Sequence, residues 1–208
     1  MSRPSFYFER TFWKRGLVHV AGLDEAGRGA WAGPVVAGAV IFSLDTPTRA
    51  LAQVNDSKQL SPRRREELYD RICAVALAWG VGQATNVEID EIGIVPATRR
   101  AMLRALAALN VKPDALLLDA LSLAERTEPQ QALIRGDARS YSIAAASILA
   151  KVTRDRLMRE LDQVFPLYQF AQHKGYGTPA HQRVLQELGA LTIHRQTFAP
   201  IKKLRAGI

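Results

Sequence analysis

Two short apolar runs joined by a glycine-rich segment place the strongest constraint on the fold of this chain. Residues 18–23 and 35–42 are rich in β-branched side chains, and Gly27, Gly29 and Gly33 lie between them. Apolar runs of this length predict buried strands, and glycine supplies the backbone freedom that a connecting turn needs. We therefore expect a hairpin of two buried strands near the start of the chain.

Beyond the hairpin, helical and strand patterns alternate. Ser61-Pro62 is a typical helix start, with serine as N-cap and proline at the first helical position. Apolar residues then recur at helical spacing: Leu68, Ile72, Val75 and Trp79. The later predicted elements are a strand at 80–85, a helix at 96–109, a doubly buried strand at 115–118, a short strand at 133–135, a long helix at 142–164 and a final helix at 178–188. This order predicts one α/β domain, 1–208, with a mixed sheet and a helical C-terminal segment from about residue 166.

Composition limits the cellular setting and the partners. With 28 Lys+Arg against 20 Asp+Glu the net charge is +8, which favours nucleic acid first and an anionic membrane surface second, or a basic surface kept for solubility. The longest apolar stretch, 30–42, is broken by glycine and proline and is too short to span a bilayer. No apolar run of signal-peptide length opens the chain. We expect a cytoplasmic protein with no membrane partner, and nothing demands a partner chain, so a monomer is expected.

The single cysteine and the C-terminal tail carry no chemistry of their own in this interpretation. Cys73 lies in an apolar helical stretch, where a buried structural thiol is expected, and one cysteine forms neither an internal disulfide nor a cysteine-based zinc site. The tail, 201–208, shows no clear partner-binding peptide, and its lysines and arginines are interpreted as a solvated end.

Acidic residues follow three of the predicted strands. Asp24 and Glu25 end the first strand, Asp119 follows the run 115–118, and Asp137 follows the short strand at 133–135. Carboxylates that converge at one sheet edge repel each other and raise each other's pKa, and a hard divalent cation relieves this repulsion. Oxygen ligands suit Mg²⁺ or Mn²⁺, and two such ions can activate a water and stabilise the leaving oxygen of a phosphodiester.

Each of these acids also has a structural interpretation. Asp24 fits a turn residue, Asp119 a strand-end cap and Asp137 an N-terminal cap of the helix that follows. Adjacent strand residues point to opposite faces, so Asp24 and Glu25 share a site only if the strand ends or twists there. Spacing alone leaves these alternatives open.

The letters around the acids form an ordered series of motifs over about residues 17–200. The motifs are Asp24-Glu25-Ala26-Gly27-Arg28-Gly29, Ala32-Gly33-Pro34-Val35-Val36, Asp56-Ser57-Lys58-Gln59-Leu60, Leu118-Asp119-Ala120, Gly136-Asp137, Ser142-Ile143-Ala144-Ala145-Ala146-Ser147-Ile148, Ala150-Lys151-Val152-Thr153-Arg154-Asp155, His173-Lys174-Gly175-Tyr176-Gly177-Thr178 and His194-Arg195-Gln196-Thr197-Phe198. The series closely resembles the ribonuclease HII family. The resemblance implies a ribonuclease H-like mixed sheet flanked by helices.

The resemblance also assigns the acids. It implies that Asp24, Glu25 and Asp119 are ligands of Mn²⁺ or Mg²⁺, and that Asp137 is the fourth active-site carboxylate. The reaction it implies is hydrolysis on the 5′ side of a ribonucleotide, in RNA–DNA hybrids or in duplex DNA that contains single ribonucleotides, leaving 5′-phosphate and 3′-OH ends. The expected role is removal of misincorporated ribonucleotides and RNA primers.

Substrate-binding residues follow from the same motifs. Gly27, Arg28 and Gly29 match the loop that recognises the ribonucleotide, where glycine lets backbone groups approach the 2′-OH and arginine holds a phosphate; a plain turn with a solvated arginine is the alternative. Tyr176 matches a tyrosine that packs on the next sugar, whereas a core tyrosine is disfavoured by the glycines on both sides. Lys58 is an expected phosphate contact, although exposed lysines are common.

Three positions depart from the family pattern, and one acid has a simpler explanation. Ala30 stands where proline is usual, Trp31 where a smaller aliphatic residue is usual, and Arg135 where lysine is common. Trp31 bears on loop packing and hence on substrate preference. Asp155 lies four residues after Lys151, so an ion pair on the helix surface is expected.

Two other classes of protein share part of this pattern. A DNA-only nuclease or an integrase on the same sheet has clustered acids but has no need of a loop like 27–29. A non-catalytic nucleic-acid-binding module accounts for the net charge of +8 but not for acids placed against that charge.

Overall fold

The computed structural model describes residues 3–205 and contains a sheet of five strands in the order β3-β2-β1-β4-β5. The strands are β1 (Val20–Ala26), β2 (Val35–Ile41), β3 (Ala78–Ala84), β4 (Ala115–Asp119) and β5 (Gln130–Leu133). The helices are α1 (Tyr7–Trp13), α2 (Pro62–Val75), α3 (Asn86–Ile92), α4 (Ile94–Ala107), α5 (Tyr141–Val164), α6 (Phe170–His173), α7 (Pro179–Leu188) and α8 (Ala199–Arg205). Within residues 3–205, no helix is both long enough and apolar enough to cross a bilayer.

The sheet is mixed, as the alternation of elements predicts. Strands β1 and β2 form the predicted antiparallel hairpin, and β3 adds to it antiparallel. Strands β4 and β5 run parallel to β1. The register pairs Leu23 with Leu118, so the residues that follow them, Asp24 and Asp119, lie side by side where the two strands end.

Helix α5 lies very close to the hairpin because glycines face it. A Cβ atom on Gly22 would overlap the backbone of Ser142, and one on Gly38 would overlap the carbonyl of Ala146. The buried alanines at the start of α5 keep the helix thin at this contact. Because side chains alternate along a strand, Asp24 faces α5 together with Gly22.

The opposite face of the sheet is covered by α4. Ala101, Met102 and Ala105 are buried against strand residues such as Leu23 and Leu116. Helices on both faces confirm the predicted α/β class with a sheet flanked by helices.

The C-terminal helices pack on the second half of α5. Their apolar cluster includes Met158, Phe170, Leu185 and Ile201. The predicted helix at 178–188 is found as α7, but it is not the final helix, because α8 follows it. Ile201 in α8 is fully buried, whereas Lys202 and Lys203 are exposed, in agreement with the interpretation of the tail lysines as solvated. Residues 206–208 lie outside the described residues.

Other boundaries differ from the predictions for identifiable reasons. Helix α2 ends at Val75, because Ala76 is extended (φ −69°, ψ 142°), and Trp79 lies in β3, half exposed, not on the helix. The strand predicted at 133–135 is found at Gln130–Leu133, whose polar residues lie on the sheet edge. Helices α1 and α3 were not predicted; each has only seven residues, too few to show a helical period.

The surroundings of Asp155 and Cys73 differ in part from those expected from the sequence. Asp155 forms the predicted ion pair with Lys151 (2.7 Å) and a second with Arg65 (3.6 Å), but it is buried and not on the helix surface. Cys73 is only partly buried, and burial followed by the nearby Asp70 raises the pKa of its thiol to about 11.

Candidate active site

Three carboxylates meet where β1 and β4 end. One oxygen atom from each of Asp24, Asp119 and Asp137 lies within 4.8 Å of the other two. Asp24 is in β1, Asp119 is the last residue of β4, and Asp137 is in a 3-10 turn, Gly136–Ala138, after β5. The Gly136 amide donates to Oδ1 of Asp119 (2.8 Å), which holds the turn against the strand end.

This arrangement decides between the structural interpretations of two acids. Asp119 does accept a hydrogen bond at the strand end, yet it still belongs to the carboxylate group. Asp137 does not cap α5, because Ser140 accepts from the Ile143 amide and the buried Glu9 accepts from Ser140 Oγ (2.7 Å) and the Ser142 amide (2.9 Å).

The pKa values of Asp24 and Asp137 are raised, as expected for buried acids that lie close to other carboxylates. Burial raises the pKa of Asp24 well above its usual value, and the charges of Glu25 and Asp119 add to this effect. Burial, then Asp56 and Asp119, raise the pKa of Asp137 to about 6, against the opposing charge of Lys58.

Glu25 lies outside the three-carboxylate group. It points to the face opposite Asp24, and its Oε1 accepts from Nη1 of Arg28 (3.2 Å). Its Oε2 is buried and has no hydrogen-bond partner among residues 3–205. Burial raises the pKa of Glu25, and the negative charge of Asp119 raises it further, whereas Arg28 lowers it. Glu25 is thus within electrostatic range of Asp119, with one oxygen unsatisfied.

Two polar residues next to the carboxylates were not assigned a role from the sequence. Asp56 accepts from the Lys58 amide (2.9 Å), and its negative charge raises the pKa of Asp137. Ser147 hydrogen-bonds to Asp24 and pairs with Ser57 (2.8 Å between the Oγ atoms). Neither residue follows an apolar strand, so the strand-end criterion that found the other acids missed them, although both lie in the motifs quoted above.

Lys58 lies beside the carboxylates with its side chain 81% exposed, and its Nζ is 4.0 Å from Oδ2 of Asp137. Burial by itself lowers the pKa of Lys58, but Asp137 and Asp24 more than reverse this effect, and the pKa is raised. The carboxylates open into a groove whose rim carries Lys58, Ile134, Arg135 and Arg139.

The glycine-rich loop after β1 is a tight turn. The Ala30 amide donates to the Gly27 carbonyl (3.2 Å), and Gly27 has φ +89°, a conformation that favours glycine. Gly27 packs on the side chain of Arg154, while Gly29 is exposed with open space around it. Arg28 is not simply solvated, because it pairs with Glu25.

Tyr176 lies on a segment that is bonded to this loop. The Trp31 amide donates to the Gly175 carbonyl (2.8 Å), and the Trp31 ring lies where a side chain on residue 177 would be. The partly buried ring of Tyr176 has Arg154 at 5.3 Å and Lys151 at 5.7 Å from its centre. With these two cations beside its ring, Tyr176 is not packed in an apolar core. Trp31, which stands where the family usually has a smaller aliphatic residue, fills the space between the loop after β1 and the Tyr176 segment.

A cluster of three histidines, His173, His181 and His194, packs against the Tyr176 segment. His173 and His181 stack at 4.2 Å, and Nε2 of His181 lies 3.1 Å from Nε2 of His194. Nδ1 of His181 is 3.0 Å from the Tyr176 carbonyl. Burial lowers the pKa of His181 and of His194 to about 4, so the cluster is neutral at pH 7 and has a structural role.

Comparisons with known proteins agree with this geometry. Residues 21–201 match the family model for ribonuclease HII. The chain is 50% identical over 201 residues to a ribonuclease HII of Dehalococcoides mccartyi, covering 97% of this chain and 95% of that one. It is 53% identical over 200 residues to a ribonuclease HII of Chloroflexus aurantiacus, covering 95% and 94%.

A solved structure shows the same fold. The ribonuclease H2 of Pyrococcus horikoshii superposes with a TM-score of 0.74 at 30% identity, covering 90% of this chain and 97% of that one. This similarity confirms the predicted ribonuclease H-like sheet. The chain therefore belongs to the ribonuclease HII family, a family of ribonuclease H enzymes that cleave RNA in RNA–DNA hybrids.

Proposed function

We propose that this enzyme hydrolyses the phosphodiester on the 5′ side of a ribonucleotide, both in RNA–DNA hybrids and in duplex DNA that carries a single ribonucleotide. The observation that carries the proposal is the carboxylate group formed by Asp24, Asp119 and Asp137, together with the loop 27–29 that follows β1 and whose Gly29 is exposed. The products have 5′-phosphate and 3′-OH ends. The role is removal of misincorporated ribonucleotides and RNA primers, by a monomer in the cytoplasm.

The acidic residues fit a divalent cation. Asp24 is buried among carboxylates, and the buried Oε2 of Glu25 has no hydrogen-bond partner among residues 3–205, an arrangement that is costly without positive charge. We assign Asp24, Glu25 and Asp119 as ligands of Mg²⁺ or Mn²⁺ and Asp137 as the fourth catalytic carboxylate. When bound, the cation supplies positive charge at the scissile phosphate and lowers the pKa of the attacking water.

The chain's own residues orient the substrate. Gly27 and Gly29 let the loop backbone approach the ribose closely, and the 2′-OH is the group that distinguishes RNA from DNA. Arg28 exchanges part of its contact with Glu25 for the adjacent phosphate, while Lys58, exposed beside Asp137, binds a neighbouring phosphate. The Tyr176 ring packs on the following sugar. Together these contacts place one phosphodiester over the carboxylates.

Asp137 is suited to transferring a proton, and Lys58 is suited to offsetting negative charge beside it. The raised pKa of Asp137, about 6, lets its carboxyl group exchange a proton near neutral pH. Lys58 stays protonated beside it and limits the negative charge of the groove. These two groups assist departure of the 3′ oxygen without contacting the recognition loop.

Cleavage of matched duplexes tests the proposal. One sequence is prepared with a single ribonucleotide, as an RNA–DNA hybrid and as all-DNA, and each duplex is incubated with the enzyme in Mg²⁺, in Mn²⁺ and in EDTA. The expected result is metal-dependent cleavage of the first two duplexes, with the ribonucleotide at the 5′ end of the downstream product. Equal cleavage of the all-DNA duplex would indicate a DNA nuclease, and binding without cleavage would indicate a binding module.

A further inference from the structure

Two fully buried arginines lie beneath the loop 27–29: Arg154 packs against Gly27, and Arg195 hydrogen-bonds to Gly27 and Arg28. Arg154 and Arg195 are both 0% exposed, and neither forms an ion pair with a carboxylate among residues 3–205. A buried guanidinium without a counter-charge is costly, and an apolar residue of similar size would stabilise the fold at least as well. We therefore look to the hydrogen bonds of these two side chains for the reason that arginine is present at these positions.

The bonds of Arg195 all go to backbone carbonyls of the loop. Its Nη2 donates to Gly27 (2.7 Å) and to Gly33 (3.0 Å), its Nη1 to Arg28 (2.8 Å) and its Nε to Gly33 (3.1 Å). The backbone of Arg195 is fixed as well, because its amide donates to the Trp31 carbonyl (2.8 Å). Arg195 thus joins the start of the connection between β1 and β2, at Gly27 and Arg28, to its end at Gly33.

These bonds fix the direction of two amide groups. In a trans peptide the N–H points away from the C=O of the same unit, and the chain has no cis peptide among its described residues. With the Gly27 and Arg28 carbonyls held by Arg195, the amides of Arg28 and Gly29 point away from the interior. Neither amide donates a hydrogen bond to any group among residues 3–205. These two amide donors are therefore left without a partner among the described residues, beside the exposed Gly29.

We propose that Arg195 is a positioning residue for ribonucleotide selection: it holds the 27–29 loop so that the Arg28 and Gly29 amides face the ribose 2′-oxygen. This inference rests on the proposed function, since it assigns the cause of the loop's discrimination. A lysine cannot replace Arg195, because a single ammonium group cannot reach three carbonyls held by a planar fork. Arg154 acts on the neighbouring part, joining Ala32 and Pro34 to Lys174.

Binding of paired duplexes tests this proposal independently of catalysis. The dissociation constants of a single-ribonucleotide duplex and of the same all-DNA duplex are measured in EDTA for the wild type, Arg195→Lys and Arg195→Met. The matched control is Ile72→Ala, a fully buried residue of α2, compared at equal loss of melting temperature. We expect the ratio of the two constants to fall about tenfold in both Arg195 variants and to stay at the wild-type value in Ile72→Ala.

Each outcome of this experiment is decisive. An unchanged ratio in the folded Arg195 variants would overturn the positioning role while leaving the proposed function intact. A wild-type protein that binds both duplexes equally would overturn the inference, whereas the proposed function fails only if cleavage does not depend on the ribonucleotide. If both variants fail to fold, Phe198→Leu is used, which keeps the guanidinium but removes the ring 5.1 Å from it. A loss of about threefold is then expected, and no loss would overturn the proposal.

Discussion

At the scale of single residues, the neighbours of a buried acid show whether it stabilises the fold or serves the reaction. Asp155 and Asp24 are both buried aspartates. Asp155 is neutralised by Lys151 and Arg65, so its charge is satisfied within the chain. The charges that raise the pKa of Asp24 are those of Glu25 and Asp119, which are also negative, and Asp137 lies in the same carboxylate group. A buried acid surrounded by acids needs a cation from outside, and this marks Asp24 as functional.

Tyr176 provides a test of recognition at this scale. Tyr176→Ala removes the ring proposed to pack on the sugar and should lower kcat/KM about ten- to a hundredfold, judged from stacking contacts of similar size. Because a deoxyribose is proposed to fit there, the loss should be greater on a single ribonucleotide in DNA than on a continuous hybrid. Steady-state kinetics on both substrates measure this difference.

Tyr176→Phe is the matched control for that substitution. The hydroxyl of Tyr176 has no hydrogen-bond partner among residues 3–205, so its removal should change activity little. Equal losses on both substrates with a large drop in melting temperature would instead identify Tyr176 as a core residue.

At the scale of secondary-structure elements, the predictable parts are those with a strong local signal. The β1–β2 hairpin, α2 with its Ser61 cap, β4, α5 and α7 were all predicted, because each has an apolar period or a cap residue. Helix α3 is set by a capping box between Thr85 and Glu88 over only seven residues. Strand β5 is polar and exists only because it pairs with β4. Such elements depend on tertiary contacts that a local pattern does not contain.

The residues of the candidate site likewise fall into those that a local sequence pattern predicts and those that only the fold brings together. Asp24, Asp119 and Asp137 were found because each lies at or just after the end of a predicted strand, and the parallel register of β1 and β4 brings two of them together. Asp56 comes from a loop, and Arg195 lies 167 residues from the Arg28 carbonyl that it holds. Contacts across such distances in the chain follow from the folded backbone and from no local spacing.

The contact between α5 and the hairpin provides a test at the element scale. Gly38→Ala places a Cβ atom against the Ala146 carbonyl, and backbone cannot yield as a flexible side chain does. We expect the free energy of unfolding to fall by about 1–3 kcal/mol, as for other overpacked cores. Gly29→Ala is the matched control, because its Cβ meets open space and its effect on stability should be small. Denaturant melts of both variants measure the difference, and equal stabilities would contradict the packing described here.

At the scale of the whole molecule, the basic residues behind the net charge of +8 differ in how far nearby carboxylates offset their charge. Arg100 and Arg104 pair with Glu88, and Arg63 and Arg64 pair with Glu67, so two carboxylates offset half of the positive charge of these four arginines. The basic residues on the groove rim, including the exposed Arg135, lie beside the carboxylates where a phosphate backbone must pass. We therefore expect the basic residues of the groove rim to supply the charge that binds nucleic acid.

Salt dependence of binding tests this view. The logarithm of the binding constant should fall linearly with the logarithm of KCl concentration, with a slope of about −0.9 per phosphate contacted. Measured with the inactive Asp119→Asn protein, Arg135→Gln should reduce the slope by about one phosphate contact. Arg64→Gln, on α2, should leave the slope unchanged. A flat profile for the parent protein would show that its basic residues do not form the binding surface.

The central claim, that the carboxylates at the ends of β1 and β4 carry the reaction, is tested most directly by Asp119→Asn. The substitution keeps the shape of the side chain but removes an anionic ligand, whereas Asp70→Asn, at an exposed position of α2, removes the same charge elsewhere. Single-turnover cleavage of a single-ribonucleotide duplex in Mg²⁺ and in Mn²⁺ is measured for both. We predict a loss of roughly two orders of magnitude or more for Asp119→Asn and wild-type rates for Asp70→Asn. Near-normal cleavage by a folded Asp119→Asn protein would contradict the account.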